Sequence, residues 1–239
     1  MANENVLEIK DVTVDFDGFC ALLNVNVNVK RNTIHFFIGP NGAGKTTLLD
    51  IICAKTKPTK GVCVFYPQDR QPITLTGMKE YKIVCEGVGR KFQVPSVFVN
   101  LSVMENMILS LKGNKGVWQS IFFKLSKEDE QLINEILETV DLLDKKDEIA
   151  GSLAHGQKQW LEIAMQLVQK PEIIMLDEPA AGMGKPETFK DQLKPILSNE
   201  RLFFTDLYKD GVGEKVEDMF REMIAGPGAV RATIHKYVG

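Results

Sequence analysis

No hydrophobic run in this chain of 239 residues approaches the ~20 residues that a bilayer-spanning helix needs. Basic excess is missing as well. Lys and Arg number 29 against 32 Asp and Glu, a net charge of −3, so no nucleic-acid footprint shows in the balance. Cysteine is sparse: Cys20, Cys53, Cys63 and Cys85 include no C-x-x-C pair, and no histidine cluster accompanies them. They read as reduced, mostly buried thiols in preference to a metal site or a disulfide framework. Histidine is scarcer still, with only His35, His155 and His235. The opening residues, Met1 to Asn5, are polar and lack the apolar centre of a signal peptide. The expectation is a cytosolic protein that meets a membrane only through a partner. There is no internal repeat and no low-complexity segment. What is present is ordinary for a globular protein, 44% hydrophobic and 26% charged residues. The length suits one large domain, or a core with a subdomain.

Against that background one stretch stands out. Gly39, Pro40, Asn41, Gly42, Ala43, Gly44, Lys45, Thr46 and Thr47 spell G-x-x-x-x-G-K-T, the phosphate-binding P-loop. An apolar run, Ile34 to Ile38, precedes it and reads as a buried strand. Leu48 to Ile52 follows and reads as the first turns of a helix. The motif carries weight only in this strand–loop–helix setting. Its glycines let backbone N–H groups turn inward around an anion. The helix N-terminus adds partial positive charge. Lys45 can reach the β- and γ-phosphates of ATP, and the Thr46 hydroxyl can ligate Mg²⁺.

The remaining pattern is α/β. Val6 to Phe16 is strand-like. Leu23, Val25, Val27 and Val29 alternate with Asn24, Asn26 and Asn28, the period of a half-exposed strand. The chain therefore opens with an antiparallel sheet that is wet on one side. Gly61 to Tyr66 is another short strand, and residues 67–80 are turn-rich. From about Ser102 to Val140 the spacing is helical, with Leu132, Ile133, Ile136, Leu137 and Val140 on one stripe. Ser126 and Asp129 suggest a capping box, with Asp where Glu or Gln is commoner. Asp129, Glu130, Glu135 and Glu138 read as a solvated face. Residues 156–170 form a further helix. Ile173 to Leu176 is fully apolar, hence a buried parallel strand.

That strand closes in Asp177 and Glu178, a Walker B arrangement. Asp177 can orient a Mg²⁺ shell, and Glu178 can polarise the water that attacks the γ-phosphate. Between the two nucleotide motifs lies Leu153, Ala154, His155, Gly156, Gln157. This resembles the signature sequence of ATP-binding cassette (ABC) ATPases. The resemblance implies a single ABC nucleotide-binding domain over residues 1–239. Its P-loop NTPase core and antiparallel β subdomain would take residues 5–94 and 161–239, with an inserted helical subdomain at 95–160. It implies Gln93 as the Q-loop glutamine, contributing to catalysis and to the metal, and Phe16 as the aromatic that stacks on adenine. It implies that His155, Gly156 and Gln157 meet the nucleotide of a partner. Lys45 and Glu178 complete the catalytic set. Residues 89–98, 155–163 and 177–183 look more narrowly like the ATP-binding subunit of urea ABC importers, close to the branched-chain amino acid importers. That implies a subunit that hydrolyses MgATP, pairs with a second ABC ATPase and drives transmembrane permease subunits. It would lie on the cytoplasmic face of the membrane without inserting into it.

Three departures stand against this pattern. The signature serine is Ala154. Lys185 follows Gly182, Met183 and Gly184 where the family usually places an aspartate after Met183. The strand Leu202 to Phe204 leads to Thr205 and Asp206, where the family has a histidine that contacts the γ-phosphate. None of the three histidines fills that position by local alignment. Residues 213–224 have the spacing of an amphipathic helix in place of the usual terminal hairpin. Two readings follow: a transport ATPase, or a module that binds ATP and dimerises but hydrolyses poorly. A soluble ABC protein of DNA repair or translation is a weaker third, since the long coiled-coil inserts or tandem cassettes of such proteins are missing.

Overall fold

A two-residue hairpin opens the fold. Strands β1 (Asn5–Phe16) and β2 (Phe19–Lys30) pair antiparallel across Asp17 and Gly18. Both turn residues have positive φ, 50° and 93°, the type I′ geometry whose twist matches the strands it joins. The Gly18 N–H donates to the Asp15 carboxylate at 2.7 Å and fixes the turn. The computed structural model describes residues 4–31, 33–38, 42–91, 97–112, 125–177, 202–205 and 231–236. For residues 34, 36, 38, 91, 177, 202–205 and 231–236 it describes the backbone.

These residues divide into two compact units: Met1–Arg90 with Pro171–Ala180 and Leu197–Gly239, and Lys91–Lys170 with Ala181–Ile196. In the first, among the described residues, β4 (Lys60–Phe65) and β5 (Ile73–Thr74) complete an antiparallel sheet in the order β2-β1-β4-β5. A second sheet has the order β6-β7-β8-β3-β9. Its members are β3 (Thr33–Ile38), β6 (Val88–Lys91), β7 (Ile173–Asp177), β8 (Leu202–Thr205) and β9 (Arg231–Lys236). β3 runs parallel to both β8 and β9, and β7 runs parallel to β8. Helix α1 (Lys45–Ile52) follows β3 and buries Leu48, Leu49, Ile51 and Ile52 in the core that both sheets share. Each such side chain contributes roughly 1.5–3 kcal/mol by burial. A short helix, α2 (Glu80–Glu86), buries Ile83 in the same core.

Polar ties hold this unit at its seams. Arg31 pairs with Glu172 at 3.3 Å and donates to the Tyr66 carbonyl, while the Gln68 N–H donates to Glu172 at 3.0 Å. Buried Arg90, next to β6's end, pairs with Asp50 of α1. Breaking a buried pair of this kind strands one charge, which is why such ties are costly to lose.

In the second unit, α3 (Val103–Ser110), α4 (Lys127–Thr139) and α5 (His155–Leu167) pack on one another. Ser102 and Glu105 cap α3 reciprocally: the Glu105 N–H donates to Ser102 Oγ at 3.1 Å, and the Ser102 N–H donates to Glu105 at 2.7 Å. Asn106, fully buried, accepts from the Phe98 N–H at 2.8 Å and donates to the Phe98 and Ser102 carbonyls at 3.1 and 2.8 Å. One side chain thus closes the loop ahead of α3.

The fold corrects several expectations. Leu23 does not join the inward face of β2; it is 75% exposed. Asn24 has a φ of 50°, and the pairing slips between Val14 opposite Leu22 and Val12 opposite Val25. This bulge turns Leu22 inward and Leu23 out. The thiols are not mostly buried: Cys63 is, Cys53 is half-buried, and Cys20 and Cys85 are exposed. Burial pushes the Cys53 thiol up to about 11, against the opposing pull of Arg90, and pushes Cys63 up as well. The box at Ser126 is half made. The Asp129 N–H donates to Ser126 Oγ, but the shorter Asp129 carboxylate takes the Ser126 hydroxyl instead of the backbone. Helix α2 and strand β9 were not legible in the sequence. The helix expected at 213–224 lies outside the described residues.

Candidate nucleotide-binding site

Strands β7, β8, β3 and β9 run parallel and aim their carboxyl ends one way, and the loop after β3 leaves from that edge. In open parallel sheets this edge is where ligands bind. Gly42 and Gly44 both take left-handed φ, 85° and 82°. Gly44 has a second reason to be glycine. A Cβ there would lie 2.6 Å from the Ala21 carbonyl oxygen and 2.6 Å from the Leu22 side chain. The loop is therefore pressed against β2. Gly44 serves as N-cap of α1 and accepts from the Leu48 N–H at 2.9 Å. No side chain caps this helix, and its first turn holds no acidic residue. The end is left suited to an anion.

Lys45 is the first residue of α1 and is 5% exposed. Thr46 is exposed beside it, and Ala43 and Thr47 are half-buried. Gly39, Pro40, Asn41, Gln93 and Glu178 lie outside the described residues. Asp177 is the last residue of β7. Its backbone pairs with Thr205 of β8, and Thr205 pairs with Phe37 of β3. Asp177 thus stands on the same row across the sheet as Phe37, two residues before the P-loop begins. Thr205 occupies the middle of that row. Phe16 ends β1 at the hairpin and is 48% exposed.

The signature residues belong to the other unit. His155, Gly156 and Gln157 form the first turn of α5, with Ala154 as N-cap. The Ala154 N–H donates to Gln157 Oε1 at 3.1 Å. The Ala154 side chain has no oxygen to accept from the Gln157 N–H, so a capping box is made on one side only. His155 is exposed, with its Nε2 at 3.2 Å from the amide nitrogen of Gln159. Sequence reasoning missed Ala21 and Leu22, the seat of Gly44. Nothing in their own pattern announces a contact with a loop twenty residues on.

A glycine-built phosphate loop at the carboxyl edge of a parallel sheet, with a buried lysine opening the next helix, defines a P-loop nucleotide-binding cassette. The sequence profile described as ABC transporter matches residues 22–181, and the chain belongs to that family. It is 34% identical over 203 residues to the high-affinity branched-chain amino acid transport ATP-binding protein BraF of Pseudomonas aeruginosa, covering 82% of this chain and 77% of that one. It is 33% identical over 205 residues to the corresponding protein LivG of Escherichia coli K12, covering 82% and 78%. A crystal structure of a nucleotide-free ATP-binding cassette from an ABC transporter superposes with a TM-score of 0.70 at 25% identity, covering 89% of this chain and 85% of the other. The ADP conformation of the cassette MJ1267 gives 0.69 at 25% identity, covering 85% and 81%. The chain is the ATP-binding subunit of an ABC importer, of the group that holds the branched-chain amino acid importer ATPases. Subunits of this class couple ATP hydrolysis to transport, dimerise and work with permease subunits. Among the described residues no helix is long and apolar enough to cross a membrane.

Proposed function

We propose that this subunit binds MgATP on the Gly39–Thr47 loop and powers import of urea, or of a related small polar nitrogen compound, from the cytoplasmic face of the membrane. The observation that carries the reading is the buried Lys45 at the start of an uncapped helix whose entry glycine is wedged against β2. In this reading Lys45 neutralises the β- and γ-phosphates, and Phe16 stacks on the base. Glu178 polarises the attacking water, and Gln93 contributes to catalysis and to the metal. His155, Gly156 and Gln157 of one subunit face the γ-phosphate held by its partner, so that ATP closes the dimer and hydrolysis releases it.

The donor set fits Mg²⁺. Thr46 offers an exposed hydroxyl beside Lys45, and Asp177 brings a carboxylate residue to the same row of the sheet as the strand that leads into the loop. Few protein oxygens, completed by phosphate and water, are what this hard cation prefers. Thr46, Asp177 and Gln93 would hold it, and it supplies neutralisation of phosphate charge during transfer.

The urea reading is supported by the resemblance of residues 89–98, 155–163 and 177–183 to urea importer subunits. It is tested by uptake of labelled urea and labelled leucine in cells that express this chain with its permease partners. Urea uptake that disappears with Glu178→Gln, while ATP still binds, is the expected result. Leucine uptake in place of urea overturns the substrate assignment. A second reading, an ATP-binding dimer with impaired hydrolysis, is favoured by the missing hydroxyl at Ala154 and by threonine at position 205.

A further inference from the structure

Phe16 and Phe19 stand directly opposite each other across the Asp17–Gly18 turn. Opposed residues of an antiparallel pair share a face, with Cβ atoms about 4.5–5.5 Å apart. Both rings are open to solvent, at 48% and 66% exposure. The type I′ turn and the Gly18–Asp15 hydrogen bond hold them in place. Their face is defined by Val14, two residues before Phe16 on β1 and buried at 1%. Val14 pairs with Leu22, and Leu22 with Ala21 forms the surface against which Gly44 of the phosphate loop is seated. Between the rings and that surface the pairing slips once, from Asp15 opposite Cys20 to Val14 opposite Leu22, so Ala21 is the extra residue of a bulge that returns Leu22 to the face of Phe19. One face of the hairpin therefore runs from the two rings toward the phosphate loop. The intervening pair, Asp15 and Cys20, belongs to the opposite face.

We propose that Phe19 is a second base-contacting residue: with Phe16 it makes a two-ring platform that takes the nucleotide base by its face. The inference rests on the reading that the phosphates sit at Lys45. A platform of two hydrocarbon rings grips by stacked area and offers no hydrogen bond to the base edge. It discriminates purines from pyrimidines and hardly distinguishes ATP from GTP.

The test is a binding titration of the full-length chain with MgATP, MgGTP, MgCTP and magnesium tripolyphosphate, a probe with phosphates and no base. Stacking of a base on an aromatic side chain corresponds to roughly 5- to 150-fold in affinity. Phe19, flanking the first ring, should account for the lower end of this range, about five- to tenfold, on alanine substitution. Phe19→Ala is expected to weaken ATP and GTP alike by that factor, to weaken CTP less, and to leave tripolyphosphate unchanged. Phe19→Tyr should restore ATP affinity. Unchanged ATP affinity in Phe19→Ala overturns the proposal. Equal losses for ATP and tripolyphosphate also overturn it, because the residue would then be shaping the phosphate loop. If wild-type protein binds neither tripolyphosphate nor ATP, the phosphate-site reading fails, and this inference with it. If Phe16→Ala weakens ATP while Phe19→Ala does not, only the second ring is refuted.

Discussion

In the proposed phosphate site, Lys45 and Gly44 are expected to fail in different ways when replaced. Lys45→Ala removes a charge-assisted contact usually worth about 1.5–3 kcal/mol. ATP affinity should fall at least about tenfold by that arithmetic while the thermal transition stays in place. Equal affinity in a binding titration would remove the P-loop assignment. Gly44→Ala is a backbone lesion. It forces a left-handed residue to carry a Cβ that collides with the Ala21 carbonyl at 2.6 Å. A strained φ of this kind costs about 1–3 kcal/mol, and the collision adds to it. Denaturant unfolding should therefore show lower stability together with lost nucleotide binding. A Gly44→Ala protein of wild-type stability would mean that the loop is not pressed on β2.

At the scale of elements, helix α5 offers the clearest experiment. Its N-cap is Ala154, and Gln157 already turns back to the Ala154 N–H. Ala154→Ser supplies the missing acceptor and completes the box, as Ser102 and Glu105 already do for α3. Gain of a serine cap is worth about 1 kcal/mol, or roughly 2–4 °C in melting temperature for a chain of this size. Thermal unfolding of Ala154→Ser should show that rise without nucleotide. The same substitution returns the signature hydroxyl, so stability and turnover are expected to rise together. A rise in turnover without a rise in melting temperature would separate the two roles of this position.

For the whole molecule the expected behaviour is strong binding and weak chemistry. By the resemblance to the family, alanine stands at 154 in place of the signature serine, and threonine stands at 205 where a histidine toward the γ-phosphate is expected. Loss of one preorganised donor costs about 10²–10³ in rate, or about 2.7–4 kcal/mol. Two losses in one site do not simply add. Steady-state phosphate release should be slow while ATP affinity stays near that of its relatives. Turnover in the usual range of ~1–10³ per second would show that Thr205 or another donor has replaced the histidine. Thr205 stands on the Phe37–Asp177 row and is the first residue to test.

The phosphate loop, the strand before it, the helix after it and the buried strand ending at Asp177 were all readable from neighbouring residues. Glycine spacing, apolar runs and helix openings are local signals. The row that sets Asp177, Thr205 and Phe37 side by side was not readable, because it depends on the register of strands far apart in sequence. Strand β9 escaped notice for the same reason, since its partner is β3. Helix α2 was too short to show a period, with Ile83 alone buried. The alternation of β2 was visible, but the bulge at Asn24 that expels Leu23 depends on pairing with β1. Chain-local chemistry determined which ligand class this protein is built to hold. Tertiary pairing alone decided that β2 backs the phosphate loop and that Phe16 and Phe19 share a face, since both depend on which strands meet and at what register.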